Sequence, residues 1–261
     1  MPYQKQTAMT KKLFSLAAAF LLAASASAQT TSGTVIYQEV LHIERPEGLS
    51  GPELEMLDKF LPKEMKNEKI LRFTPSASLY TTNKKADDGA AYQDRSENGM
   101  NVRINILGNG DEQFFTDLQS GKQIQQTEFA GRKFLVTTNR TAGWKMTGRQ
   151  KNILGHPCQE AALQKDTTKT LAWFATDMPV PAGPSSWAGL PGVVLEVSAE
   201  NGVMTLTAVS VKAGGVAASD IVAPSKGKKV TQDEFRKVVD NYRKEMGATR
   251  SGNMIRVVRE N

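Results

Sequence analysis

Strand-length runs joined by very short turns constrain this chain more than any other feature. From Asn101 onward the pattern is strand, turn, strand. Val102–Leu107 leads through Gly108-Asn109-Gly110-Asp111 to Gln113–Asp117. The turn Gln119-Ser120-Gly121-Lys122 leads to Gln123–Phe129, and Ala130-Gly131-Arg132 leads to Lys133–Thr138. Trp144-Lys145-Met146 opens a further strand, and Lys151–Gly155 runs into His156–Ala161. Lys165-Asp166-Thr167 turns that strand back through Lys169–Thr176. Connections of about two to five residues force antiparallel neighbours, because a parallel crossover takes roughly a dozen residues or more. Earlier, Gly33–Ile43 is rich in Val, Ile and Tyr and reads as a strand. Glu200-Asn201-Gly202 carries the Asn-Gly pair that suits a type I′ turn, joining Val193–Ser198 to Val203–Val211.

Two segments read as helical. Ser50-Gly51-Pro52-Glu53 has the form of a capping box before Leu54, Leu57 and Leu61. The clearer case is Thr231-Gln232-Asp233-Glu234, with Val230 and Phe235 placed as a hydrophobic staple. Phe235, Val238, Val239, Tyr242 and Met246 fall on one helical face, and Gly247 stands where the helix would stop. Lys63–Lys69 reads as a solvated charge run, and Asn83–Gly99 as a polar, turn-rich surface loop. The fold class expected is mainly β. It is a large curved antiparallel sheet or partly closed barrel with a C-terminal amphipathic helix packed on it.

The N-terminus reads as an export signal. Lys11 and Lys12 precede the apolar run Leu13–Ala24, followed by Ala26-Ser27-Ala28. The run is well short of the ~20 residues that span a bilayer, so a signal peptide over residues 1–28, cleaved after Ala28, is expected. No later stretch is long and apolar enough for a transmembrane segment. Residues 1–28 hold Lys5, Lys11 and Lys12 and no acid, so their removal lowers the formal net charge from +6 by three, to +3. That small excess gives no reason to expect a nucleic-acid partner. Residues 29–247 read as a single β-rich domain and residues 248–261 as a C-terminal tail in which Met254–Val258 can add an edge strand. The expected location is periplasmic or secreted. Cys158 is the one cysteine, so the fold is held without an intrachain disulfide.

Between the strands Leu171–Thr176 and Val193–Val197 lies a connection without a single long polar side chain. Met178–Gly192 carries Pro179, Pro181, Pro184, Trp187, Leu190 and Pro191, with Ser185 and Ser186 as its polar residues. Proline fixes the backbone at each of its positions, so the segment reads as a rigid, packed corner. Gly189 and Gly192 supply its tight turns.

Candidate chemistry is sparse. His42, His156 and Cys158 are too few for a closed zinc site, and no phosphate-binding glycine motif occurs. No cofactor or metal is expected. Cys158 reads as a small buried residue, since two positions along a strand is poor geometry for attack assisted by His156. Asp177 and Glu196 flank the corner, and paired acids in a cleft can run acid–base chemistry; the reading favoured over this is that Asp177 caps the turn before Met178-Pro179 and Glu196 pairs with a Lys or Arg across the sheet.

The motifs around the corner resemble a known family. Gly189-Leu190-Pro191-Gly192-Val193-Val194-Leu195-Glu196 is similar to the motif that names the GLPGLI family, exported Bacteroidetes proteins of unknown function, with Val193-Val194 in place of Leu-Ile. Ile153-Leu154-Gly155-His156-Pro157-Cys158-Gln159-Glu160-Ala161 resembles a strand of that family, with His156 where Tyr is common. Ala172-Trp173-Phe174, Asp177-Met178-Pro179-Val180 and Gly183-Pro184 resemble its next run. The resemblance implies export but no activity. The expected role is a non-enzymatic cell-envelope protein that binds an apolar ligand, lipid, peptide or envelope partner. Trp173, Asp177, Pro184, Trp187, Gly189, Leu190, Pro191, Gly192 and Glu196 are its candidate binding residues. The alternatives are an envelope hydrolase using Asp177 and Glu196, and a structural partner of an outer-membrane transport complex.

Overall fold

The computed structural model describes residues 30–43, 51, 55, 63–83, 94–97, 100–104, 112–139, 143–245 and 255–259. The segment expected to be a signal peptide and most of the segment expected to form an early helix lie outside these residues, as do Met246 and Gly247. Fifteen strands, β1 to β15, and one long helix are present among the described residues. They are β1 (Gly33–His42), β2 (Glu64–Phe73), β3 (Ala77–Thr82), β4 (Asp94–Glu97), β5 (Met100–Ile104), β6 (Gln113–Asp117), β7 (Lys122–Phe129) and β8 (Arg132–Asn139). There follow β9 (Lys145–Ile153), β10 (His156–Lys165), β11 (Thr168–Ala175), β12 (Val194–Ala199), β13 (Met204–Ala213), β14 (Lys228–Thr231), helix α1 (Gln232–Glu245) and β15 (Ile255–Arg259).

Twelve strands form one open sheet in the order β14-β8-β7-β6-β3-β2-β1-β13-β12-β11-β10-β9. The short turns produce antiparallel neighbours, as expected. The sheet is nonetheless mixed, because β14 returns to lie parallel to β8, with Val230 opposite Val136. It has two edges, so it does not close into a barrel. Two local expectations change. Asp94–Glu97, inside the segment read as a loop, pairs with β5, whereas Ile255–Arg259 adds an edge strand on the other side of β5, as expected near Met254–Val258. Glu64–Lys69, read as solvated surface, belongs to β2, where pairing to β1 and β3 buries Met65 and Lys69.

The C-terminal helix starts as its sequence dictates. Thr231 N–H donates to Glu234 Oε2 at 2.7 Å, and Glu234 N–H donates to Thr231 Oγ1 at 3.2 Å. Each satisfies a backbone donor that the helix leaves open. The apolar face then lies on β7 and β8: Phe235, Val238, Val239 and Tyr242 pack on Phe129, Phe134, Val136 and Val230. Phe235 meets Phe134 edge-on with ring centroids 5.3 Å apart, and Tyr242 meets Phe129 at 5.2 Å.

The larger core gathers Val35 and Tyr37 of β1, Leu71 and Phe73 of β2, Phe174 of β11, Val197 of β12 and Leu206 of β13. The corner between β11 and β12 completes it. Met178, Val180, Ala182 and Leu190 are all buried in this cluster. The corner holds itself through main-chain bonds: Val193 N–H to Met178 O, Val194 N–H to Ala182 O, and Gly189 N–H to Pro181 O, all at 2.9–3.0 Å. Tyr37 donates its buried hydroxyl to Val194 O, anchoring the start of β12 to β1.

The Asn-Gly hairpin forms with a longer loop than the type I′ reading implies. Ala199 pairs with Met204, so Glu200–Val203 makes the turn. Glu200, Asn201 and Gly202 all have positive φ. Asn201 Oδ1 accepts from Lys169 N–H at 3.0 Å, which ties this turn to the neighbouring β10–β11 hairpin.

Glycine is needed in the corner for closeness more than for turning. A Cβ on Gly192 would lie 1.9 Å from Ala175 O, and one on Gly183 would lie 2.0 Å from Trp187 O. Both obstacles are backbone, which cannot swing aside. Gly192→Ala and Gly183→Ala are expected to destabilise the protein by about 3 kcal/mol or more, whereas exposed Pro191→Ala stays within about 0.5 kcal/mol. Thermal or denaturant unfolding of the three variants checks this.

Candidate functional site

The family-like motifs converge on β9 to β12. Antiparallel register sets Glu160 of β10 opposite Trp173 of β11, Trp173 opposite Glu196 of β12, and Glu196 opposite Thr207 of β13. This row crosses four strands, and β9 supplies cations to it. Lys151 Nζ lies 2.7 Å from Glu196 Oε1 and 2.8 Å from Oε2. The same ammonium sits 4.4 Å from the centroid of the Trp173 ring. Arg149 lies over the same ring at 5.9 Å and forks onto Glu160, its Nε donating to Oε2 at 2.7 Å. Thr147 Oγ1 donates to that oxygen at 2.8 Å. Glu160 is only 1% exposed, and three hydrogen bonds, two from Arg149 and one from Thr147, satisfy its buried oxygens.

Asp177 lies just past β11 and turns toward β10, where its Oδ2 meets His156 Nδ1 at 2.8 Å. Asp177 and Glu196 therefore each take a separate base, and no hydrogen bond joins them to one another. β11 and β12 do pair, but Asp177 falls beyond the paired stretch, which ends at Phe174–Val194.

Cys158 stands beside this group, buried. Burial first, then the negative charge of Asp177, pushes its thiol up to about 11. Its Sγ–H donates to the backbone oxygen of its own neighbour His156 at 3.4 Å, not to an imidazole nitrogen. An oriented His–Asp pair is thus present, and Cys158 beside it is not activated by the imidazole.

The structure divides the other candidate binding residues. Leu190, Pro184 and Gly192 are buried in the corner, Trp187 and Gly189 are half-buried, and Pro191 is exposed. Gly189 has φ of 101°, so it makes the turn that its sequence position suggested. Sequence reading missed Arg149, Lys151 and Glu160. Their one signal was alternation along β9 and β10, and it became meaningful only once the register across the strands was known.

Residues 121–196 match the model of a family described as "Protein of unknown function (Porph_ging)". This match runs from just before β7 to Glu196 and contains every member of the ion-pair row except Thr207. It supports an uncharacterised family and does not by itself carry the GLPGLI name. No curated protein matches the chain. Among solved structures it is similar to PNGF-II in the C2 space group, with 16% identity, a TM-score of 0.52, and coverage of 81% of this chain and 33% of that one. PNGF-II in the P21 space group gives 16% identity, a TM-score of 0.51, and coverage of 82% and 34%. The chain spans about a third of the PNGF-II chain. At this identity the likeness concerns the fold alone.

Two outcomes follow for this region. Arg149→Ala leaves the Glu160 carboxylate buried without its bidentate partner, so a loss of about 2–3 kcal/mol is expected in denaturant unfolding. The raised Cys158 thiol should react with a disulfide reagent at pH 8 on the order of a hundredfold more slowly than a free thiol. Unfolding in denaturant restores the ordinary rate.

Proposed function

We propose that this chain is an exported cell-envelope protein that binds an extended segment of a partner along the free edge of β9, beside the rigid corner. One observation carries this reading. β9 is a nine-residue strand at the end of the twelve-stranded sheet, and Lys145–Gln150 are exposed throughout. A strand edge presents backbone donors and acceptors that an extended peptide can pair with. The other edge is the four-residue β14, which runs straight into α1.

The edge is also guarded against its own kind. Gly148, at φ 80°, breaks the regular pairing where the register with β10 shifts, while Arg149 and Lys151 of the strand are held by Glu160 and Glu196. A bulged edge of this kind pairs poorly with a second copy of itself, so an unlike partner is favoured. The half-buried Trp187 and exposed Pro191 belong to a corner already fixed by main-chain bonds, so little ordering is lost when a partner docks. The apolar residues of the corner face the core, which favours a peptide or envelope protein over a lipid or other apolar ligand. A component of an outer-membrane transport complex is one such partner. The hydrolase alternative draws no support from this geometry, since Asp177 and Glu196 are each bound to a base of their own.

A photo-crosslinker placed at Met146, 52% exposed on β9, tests the reading in cells against the same probe at Val209, 49% exposed on β13. A discrete envelope-protein adduct at Met146 alone is expected, on a mature chain whose N-terminal residue is Gln29. Equal labelling at both positions, or none at either, removes the edge as the site.

A further inference from the structure

We propose that the β14 edge of the sheet docks on an anionic lipid bilayer, with Val222 entering the interface while Arg132, Lys133, Lys226, Lys228 and Lys229 face the headgroups. This edge is at the opposite end of the strand order from β9, so the surface stands apart from the partner site proposed for that strand.

The connection from β13 to β14 supplies the apolar part. Its middle reads Val216-Ala217-Ala218-Ser219-Asp220-Ile221-Val222-Ala223-Pro224. A tight turn holds it: Asp220 N–H donates to Ala217 O at 3.0 Å, and Ala217 N–H donates to Asp220 Oδ2 at 2.9 Å. The acid of this segment is thereby occupied by its own backbone. Ile221 is buried, while Val222 beside it is 68% exposed, the highest value for a large apolar side chain among the described residues. One exposed valine is ordinary on a protein surface. Its surroundings give it meaning.

The cations converge just past it. Lys226 N–H donates to Gln126 Oε1 at 3.3 Å, which fixes the connection on β7. The next residue lies directly on β8, since a Cβ on Gly227 would come 2.8 Å from the Lys133 carbonyl carbon. Lys226 and Lys228 therefore flank Lys133, and Arg132 precedes it. Parallel register then sets Lys228 beside Phe134 and Lys229 beside Leu135. All five cations are exposed. The acids near them are Glu128, opposite Lys133, and Glu234, which feels Lys228 but is bonded to Thr231 at the start of α1. An excess of positive charge remains.

Lysines on an edge strand also discourage pairing with another sheet, which accounts for Lys228 and Lys229. It does not account for Lys226 in the connection, for Arg132 and Lys133 on the inner strand β8, or for Val222. A soluble polyanion would meet the cations but leave Val222 in water. An anionic bilayer meets both, because apolar insertion and headgroup attraction act on the same surface. A chain seated in this way leaves the β9 edge free.

Flotation of the mature chain with vesicles tests the proposal, using phosphatidylcholine alone and phosphatidylcholine mixed with phosphatidylglycerol. Binding to the anionic vesicles alone is expected, weakening as added salt screens the charges. Replacing Lys133, Lys226 and Lys229 together by Gln should lower the partition coefficient on the order of a hundredfold. Val222→Ser should lower it about fivefold or more, and Val209→Ser on β13 should leave it unchanged. All of these positions are exposed, and thermal unfolding checks that each variant keeps the fold. Equal binding to both kinds of vesicle, no binding to the anionic ones, or full binding by Val222→Ser overturns the proposal. Retention on heparin or on an acidic protein without flotation assigns the cations to a soluble polyanion and overturns it as well.

Discussion

The backbone of Gly192 runs against the carbonyl of Ala175 too closely for any side chain, and the architecture around β9–β12 depends on this approach. Ala175 N–H donates to Val193 O at 2.8 Å, so the end of β11 and the lead into β12 close on each other directly. The intervening corner is thereby pressed onto the sheet. Its alternate residues Met178, Val180 and Ala182 enter the core, and Leu190 follows at the far side. Prolines reduce the freedom the corner would have in the unfolded chain, which makes its single path cheaper to hold. A segment with the composition of a linker becomes part of the core.

Once the corner is fixed, it decides where the charges near it go. Asp177 leaves β11 toward His156, while Glu196 stays within the paired stretch and meets Lys151. Glu160 and Glu196 flank Trp173 in the register, with Arg149 and Lys151 set over the ring. Planar guanidinium and compact ammonium play different parts here: Arg149 forks onto a buried carboxylate, while Lys151 reaches a half-buried one. The patch is internally neutralised. It orders β9 on the sheet without using up the outer edge of that strand.

The opposite part of the sheet is built on another balance. Lys69 is held by the Glu39 carboxylate and the Thr82 hydroxyl. Buried ion pairs contribute little net stability when compared with apolar packing, but they respond strongly to the loss or gain of one proton. Each group matches acid with base: Glu39 with Lys69 between β1 and β2, and Glu160 and Glu196 with Arg149 and Lys151 in the β9–β12 patch.

Local chemistry made much of this legible in advance. The capping box at Thr231, the apolar face from Phe235 to Tyr242, and the strand-turn-strand run through β6, β7 and β8 depend on neighbours a few residues apart, so sequence alone determined them. The rigid corner was legible for the same reason, because proline acts on its own backbone. Long-range placement was not. The parallel return of β14 onto β8, the choice of an open sheet over a barrel, and the pairing of β15 with β5 join segments far apart in the chain. Lys69 sat in a charged run that read as solvent-facing, and only pairing to β1 and β3 buried it. Asp177 and Glu196 were found by their positions beside the corner, but their partners Lys151 and His156 were decided by register across strands. Hydrophobic period and turn chemistry are properties of a segment; which side chain faces which is a property of the assembled sheet.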